Sequence, residues 1–304
     1  MSTRAPLRSL DEMTHGSARD KIRPVLLTLL SAAAVGLLVL VGLVVLLWWK
    51  QESITWQPPR PPFPQVTARR VDYTASDGQP LYAYVVGGRD TTARGPLLLV
   101  FHGNADLAGW QVPWAEEVAR RTGWTVLAAE YRGYGGLPGA PTYEGSQRDA
   151  RAAYAFARDS LGVPADRIAI FGHSLGSAVA TELASEVKPR ALILQSPFTS
   201  ARAMARVIVW RPVLVMWRVI SRIHFDTERR VRTLETPLWV AHGDRDLIIP
   251  TRMGRAVFAA ARTPRRLLIV RGAGHNDVED VGGAEYWAWL GEALGTVGTE
   301  GLRH

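Results

Sequence analysis

The stretch Ile168-Ala169-Ile170-Phe171-Gly172-His173-Ser174-Leu175-Gly176-Ser177-Ala178-Val179-Ala180-Thr181-Glu182-Leu183 decides the fold. IAIF is a short continuous apolar run, which reads as a strand buried on both faces. SAVATELASE reads as a helix. Between them, Gly172-His173-Ser174-Leu175-Gly176 matches the pattern G-x-S-x-G. Glycines on both sides of a strained serine let strand and helix meet in a sharp turn. Ser174 then stands at a helix N-terminus, where unpaired N–H groups and the helix dipole favour a developing anion. The pentapeptide alone is common, but in this strand–helix setting it is specific. The competing structural reading is a plain Gly-Ser turn packed on a helix.

Outward from this stretch, apolar runs of strand length recur at Leu81–Val86, Leu97–Phe101, Val126–Glu130, Ala191–Gln195, Leu238–Ala241 and Leu267–Val270. Helical stretches fall around Trp114–Arg121, Glu144–Ser160, Leu175–Glu186, Arg252–Ala261 and Ala284–Leu294. This alternation predicts an α/β domain over residues 71–298, with a mostly parallel central sheet flanked by helices.

A serine hydroxyl is a weak nucleophile and needs a base. Of the seven histidines, His275 lies in the glycine-flanked GAGHND just after the last strand run and fits that role best. His15, His102, His173, His224, His242 and His304 read as structural or terminal. The base needs an orienting acid, and HGDRDLIIP at 242–250 offers Asp244 and Asp246. With Asp246 as the acid, the chain order is Ser174, Asp246, His275, and its carboxylate stabilises the imidazolium formed when His275 takes the serine proton. Asp244 reads as a turn residue. The oxyanion needs donors, for which the backbone N–H groups of Leu175 and of Asn104 serve. Asn104 lies in His102-Gly103-Asn104-Ala105-Asp106, where Gly103 permits close backbone approach and Asp106 reads as a cap.

The motifs FHGNADL at 101–107, YRGYG at 131–135, GHSLG at 172–176, SPFTS at 196–200, FDTERR at 225–230, HGDRDLIIP at 242–250 and GAGHND at 272–277 follow one another in order. Together they resemble the α/β-hydrolase superfamily of serine hydrolases, and within it the membrane-anchored α/β-hydrolase-domain proteins, a branch that includes protein depalmitoylases. The resemblance covers about residues 70–295. It implies an α/β-hydrolase fold with a short lid insertion, Ser174 as nucleophile, His275 as base, Asp246 as acid, and Asn104 and Leu175 at the oxyanion hole. Depalmitoylases of this branch are held to membranes by a lipidated, cysteine-rich N-terminus. This chain has no cysteine, and members with an N-terminal signal anchor look nearer to it.

The absence of cysteine also excludes a disulfide framework, a thiol nucleophile and cysteine-ligated metal sites. The anchor is visible in residues 25–49, VLLTLLSAAAVGLLVLVGLVVLLWW, which carry no charge. At about 1.5 Å per residue this run spans roughly 37 Å as a helix, enough for a hydrocarbon core of about 30 Å. It is too long for a signal-peptide core and lacks a small-residue cleavage site. A basic tail at 1–24 precedes it, and a Pro-rich linker at 50–70 follows, read as a semi-rigid spacer between bilayer and domain. Five basic residues upstream (Arg4, Arg8, Arg19, Lys21, Arg23) against three downstream (Lys50, Arg60, Arg69) place the N-terminus in the cytoplasm and the hydrolase domain outside.

The formal charge is +8, from 36 Lys+Arg against 28 Asp+Glu. Residues 201–232, where a lid is expected, hold eight Arg against Asp226 and Glu228, a net +6. Arg211, Arg218 and Arg222 share one face of a helix expected beyond Pro212, a pattern suited to an anionic membrane surface. An ordinary lid with solvated arginines is the alternative. The expectation is a single-pass membrane serine hydrolase acting on carboxylic esters or thioesters of apolar, lipid-like acyl substrates. It needs no cofactor or metal, and its partners are the acyl substrate and membrane lipid, not nucleic acid. Peptidase or perhydrolase chemistry on the same triad, or a non-catalytic scaffold, are the alternatives.

Overall fold

A computed structural model describes residues 18–87, 95–208, 220–263 and 265–295 of the protein. It divides into two units, Met1–Lys50 and Gln51–His304. In the first, the described part is a helix. That helix, α1, runs over Ala18–Thr55, beginning inside the expected tail and ending past the expected boundary at 49. From Ile22 it is long and apolar enough to cross a membrane.

In the second unit a single eight-stranded sheet has the order β1-β2-β4-β3-β5-β6-β7-β8. The strands are β1 Arg69–Thr74, β2 Pro80–Val86, β3 Leu97–Phe101, β4 Thr125–Ala129, β5 Ile168–His173, β6 Ala191–Gln195, β7 Leu238–Gly243 and β8 Arg265–Val270. The two pairings that involve β2 are antiparallel, and the other five are parallel. Seven of these strands coincide with the apolar runs. The unexpected one, β1, is RRVDYT, an exposed edge strand whose polar alternation carries no apolar run.

The helices of this unit are α2 Val112–Thr122, α3 Tyr143–Ala155, α4 Leu175–Val187, α5 Ala201–Ile208, α6 Thr227–Val231, α7 Thr251–Ala260 and α8 Val278–Leu294. The sheet separates two apolar layers, and β3 shows how. Leu97, Leu99 and Phe101 face the layer of α3, α4, α6 and α7, whereas Leu98 and Val100 face that of α2 and α8. With both faces covered, each β3 residue is buried, which is why such strands read as continuous apolar runs. The expected helix at 144–160 gives way to a wider turn at Phe156–Ser160. The last helix starts earlier than its apolar pattern, at Val278, and kinks at Gly283, just before the expected start at Ala284.

The Pro-rich segment is not a free spacer. Gln51 is 0% exposed and Trp56 2% exposed, so the chain is already inside the domain before the first proline. Beyond it Phe63 packs on the core, and Pro64 and Val66 lie over Gly109. Trp56, Phe63 and Val66 would stand in water along a spacer, and burying them favours laying the segment on the domain. Of the expected lid, α5, α6 and residues 220–226 are described. The helix expected beyond Pro212, with Arg211 and Arg218, lies outside the described residues, as do His15, His304 and residues 1–17 of the tail.

Candidate active site

Parallel strands end on one edge of the sheet, so the loops after β3, β5, β7 and β8 meet there, the edge where open α/β sheets bind ligands. Ser174 occupies the β5–α4 turn with φ 53° and ψ −117°, a left-handed backbone that a serine rarely adopts. The two glycines make that turn possible. A Cβ on Gly176 would run into the Phe101 carbonyl, and one on Gly172 would run into the Gly176 backbone. The Ser174 N–H donates to Gln195 O at 3.0 Å, which fixes the turn to β6.

His275, in the loop after β8, brings Nε2 to 2.9 Å from Ser174 Oγ. Its Nδ1 is 2.7 Å from Asp246 Oδ2. The carboxylate accepts on Nδ1, so the ring turns its other nitrogen to the hydroxyl as an acceptor. Asp246 Oδ1 accepts the N–H groups of Ile248 and Ile249, both at 2.8 Å. His242 Nε2 lies 3.2 Å from Asp246 Oδ2. Burial opposes ionisation of Asp246, but these donors from His242, His275 and the backbone outweigh it and hold its carboxyl well below the usual range. Asp244 instead accepts the Gly272 N–H at 2.7 Å, as a turn residue does. Asp277 Oδ1 closes the His275 loop by accepting the Gly274 N–H at 2.6 Å.

The loop after β3 presses on Ser174. A Cβ on Gly103 would stand 3.3 Å from Ser174 Cβ and 3.2 Å from His173 Nδ1. Neither Asn104 N–H nor Leu175 N–H has a protein acceptor among the described residues. Both stay available to a ligand.

Three histidines that the sequence leaves as structural all touch this apparatus. His242 supports Asp246, as above. His173 is pushed down to about 4 by burial and by neighbouring His275, so it is neutral near pH 7, and its Nε2–H donates to His275 O at 3.1 Å. His102 is buried with Nε2 2.7 Å from Glu130 Oε1 and Nδ1 2.8 Å from Gly103 O. Both partners are acceptors, so the ring carries both protons. Burial pushes His102 toward neutrality, but the Glu130 carboxylate outweighs it and the net shift is upward. A signal for this pair exists in the sheet register. Phe101 pairs with Ala129, so the next residues, His102 and Glu130, leave the sheet side by side.

The YRGYG motif braces the same loop. Tyr131 OH donates to His102 O at 3.1 Å and Tyr134 OH donates to Asn104 Oδ1 at 2.7 Å. Arg132 ties the motif to the domain through Asp149 at 2.7 Å and Asp77 at 2.8 Å. His224, by contrast, is exposed beside Tyr143 and does not reach Ser174.

Ser174 and His275 open on a cavity of about 560 Å³, walled by Trp110, Trp114, Phe171 and Ile248 and also by Gln57, Asn104 and Gln195. Among the described residues its charged lining is Asp106 and Glu279, with no Lys or Arg. Burial pushes the Glu279 carboxyl upward. Asp106 caps its own loop, accepting Leu107 N–H and Gln111 Nε2, both at 2.7 Å.

A family model described as the alpha/beta hydrolase fold matches residues 96–232. The Mycobacterium tuberculosis protein Rv2307c is 35% identical over 260 residues, covering 82% of this chain and 89% of its own. The human alpha/beta hydrolase domain-containing protein 17B is 30% identical over 182 residues, covering 60% of this chain and 61% of that protein. Among solved structures, the Pyrococcus furiosus esterase Pf2001 superposes with a TM-score of 0.62 at 21% identity, covering 79% of this chain and 98% of that one. Fold, order of elements and relatives agree, and the chain belongs to the α/β-hydrolase family.

Proposed function

We propose that the protein is a membrane-anchored serine hydrolase that cleaves carboxylic ester or thioester bonds of apolar acyl substrates. The observation that carries this reading is the Ser174–His275–Asp246 relay, at 2.9 and 2.7 Å, opening on the aromatic-walled cavity. Ser174 Oγ attacks the carbonyl carbon while His275 Nε2 takes its proton. The N–H groups of Leu175 and Asn104 hold the tetrahedral oxyanion. The bond to the leaving oxygen or sulfur then breaks, and His275 returns the proton to that atom. Water attacks the acyl-enzyme with His275 again as base, releasing the acid and restoring Ser174. Trp110, Trp114, Phe171 and Ile248 favour an apolar acyl group, and the Asp106 and Glu279 carboxylates disfavour an anionic one.

Ser174→Ala tests the assignment directly. The expected outcome is loss of fluorophosphonate labelling and of p-nitrophenyl acyl ester hydrolysis, with an unchanged thermal melt. Labelling that survives in the variant would sink the assignment.

The apolar helix from Ile22 supports the anchor, and the excess of basic residues before it supports a domain on the non-cytoplasmic side. A C-terminal reporter active only in the cytoplasm should be silent. A signal from it reverses the orientation.

A further inference from the structure

We infer that the end of α1 and the residues just after it, Gln51–Gln57, form a positioning strap for an oxyanion donor. This rests on the hydrolase reading above and assigns these residues a part in it. Asn104 is held from two directions. On its backbone, His102 Nδ1 grips the Gly103 carbonyl at 2.8 Å. In a trans peptide the C=O and the next N–H point opposite ways, so this grip sets where the Asn104 N–H points. On its side chain, Nδ2 donates to Thr55 O at 2.6 Å, while Oδ1 accepts Gln57 N–H at 2.9 Å and Tyr134 OH at 2.7 Å. Thr55 offers only an acceptor here, and Gln57 and Tyr134 are donors, so the amide has one orientation. The adjacent Ala105 sits at φ 52°, a left-handed backbone that needs such support.

The strap is itself fixed. Trp56 is buried edge-on to Tyr131, Tyr134 and Phe225, with ring centroids at 6.1, 6.4 and 6.4 Å. Gln51 Nε2 donates to Ile220 O at 3.3 Å and its Oε1 accepts the Arg222 N–H at 2.6 Å, which joins the strap to the returning limb of the lid. Gln57 goes on to line the cavity that Ser174 opens into. One short segment therefore spans lid, tyrosine brace and oxyanion loop. Its covalent neighbour on the other side is Lys50, the residue that follows the apolar run 25–49.

The test uses the full chain in detergent micelles with a soluble p-nitrophenyl ester, a trifluoromethyl ketone that forms a tetrahedral adduct on Ser174, and a thermal melt. Trp56→Ala loosens the strap, Trp56→Phe keeps an aromatic ring in the slot, and Asn104→Ala removes the side-chain clamp but keeps the backbone N–H. A misplaced donor costs about tenfold to a hundredfold. Trp56→Ala and Asn104→Ala should each lose kcat by that factor with KM within twofold, and the ketone should bind more weakly by the same factor. Trp56→Phe should recover most of the loss. A purely structural role would lower the melting temperature without moving kcat and ketone affinity together, and that result overturns the inference. So does a kcat within twofold of wild type in both variants. If Trp56→Ala does not fold, Asn104→Ala decides alone. If wild type shows no Ser174-dependent turnover, the hydrolase reading fails and takes the strap with it.

Discussion

The two sides of Ser174 are held in different ways. On the base side, Asp246 is fixed by the N–H groups of Ile248 and Ile249, two and three residues along the chain. Asp277 closes the His275 loop onto Gly274, three residues back. On the oxyanion side the local contacts, such as His102 with Gly103, are joined by partners far along the chain. His102 is held by Glu130, 28 residues on, and Asn104 by Tyr134 and Thr55, 30 and 49 residues away. A loop built from its own chain forms its geometry wherever its two ends are placed. A loop built from distant partners depends on the whole sheet edge and on the strap, so damage far from Ser174 reaches it. The base side therefore concentrates its chemistry in one residue, whereas the oxyanion side spreads its support over several.

The largest effect follows from that concentration. Asp246→Asn should leave the fold intact but favour the wrong His275 tautomer, lowering kcat by about 10³–10⁴ with little change in KM. Asp244→Asn, at a side chain that accepts the Gly272 N–H, should stay within a few-fold of wild type. Steady-state kinetics of the two variants on one p-nitrophenyl ester separates them. A larger loss in Asp244→Asn would exchange the two roles and end the contrast between the sides.

The same division decides what the sequence makes legible. HGDRDLIIP and GAGHND hold stabilising partners within a few residues, and G-x-S-x-G carries the two glycines that its turn needs, so the motif carries the geometry. The inner strands are legible because burial on both faces leaves continuous apolar runs, and β8, at the other edge, is legible because it still carries Leu267-Leu268-Ile269-Val270. β1 is not, because RRVDYT has no such run. His102 looks like any strand-end histidine until the pairing of Phe101 with Ala129 is known, since only that register delivers Glu130 to it. The prolines at 58–64 point to a spacer because local stiffness is what prolines encode. Burial of Trp56 and Gln51 is a tertiary fact that overrides it. The excess of arginine at 201–232 is plain in the sequence, but charge alone does not say which guanidinium is used. Arg230 turns out to pair with the nearly buried Glu182.

The smaller effect sharpens the other half of the comparison. Glu130 takes four donors, from His102, Tyr82, Ala108 and Tyr131, and both members of its pair with His102 are buried. Glu130→Gln breaks a buried pair, at a cost of about 3 kcal/mol. For a domain of this size that lowers the melting temperature by roughly 6–12 °C. The loss should depend on pH in a defined sense. Glu130 raises the His102 pKa in the folded state above the unfolded value of about 6.5. A group raised on folding contributes stability that is fully present below its unfolded pKa and is lost as pH climbs through the folded one. The gap in stability between wild type and Glu130→Gln should therefore be widest below about pH 6.5 and narrow on the alkaline side. It should not vanish there, because Gln leaves the other donors poorly matched. Denaturant melts of both proteins across that range measure it. A gap that is flat, or that widens with pH, would mean that His102 is neutral in the fold. The grip on Gly103 and the charge on Glu130 would then have to be assigned afresh, and the oxyanion side would rest on its tyrosines and the strap alone.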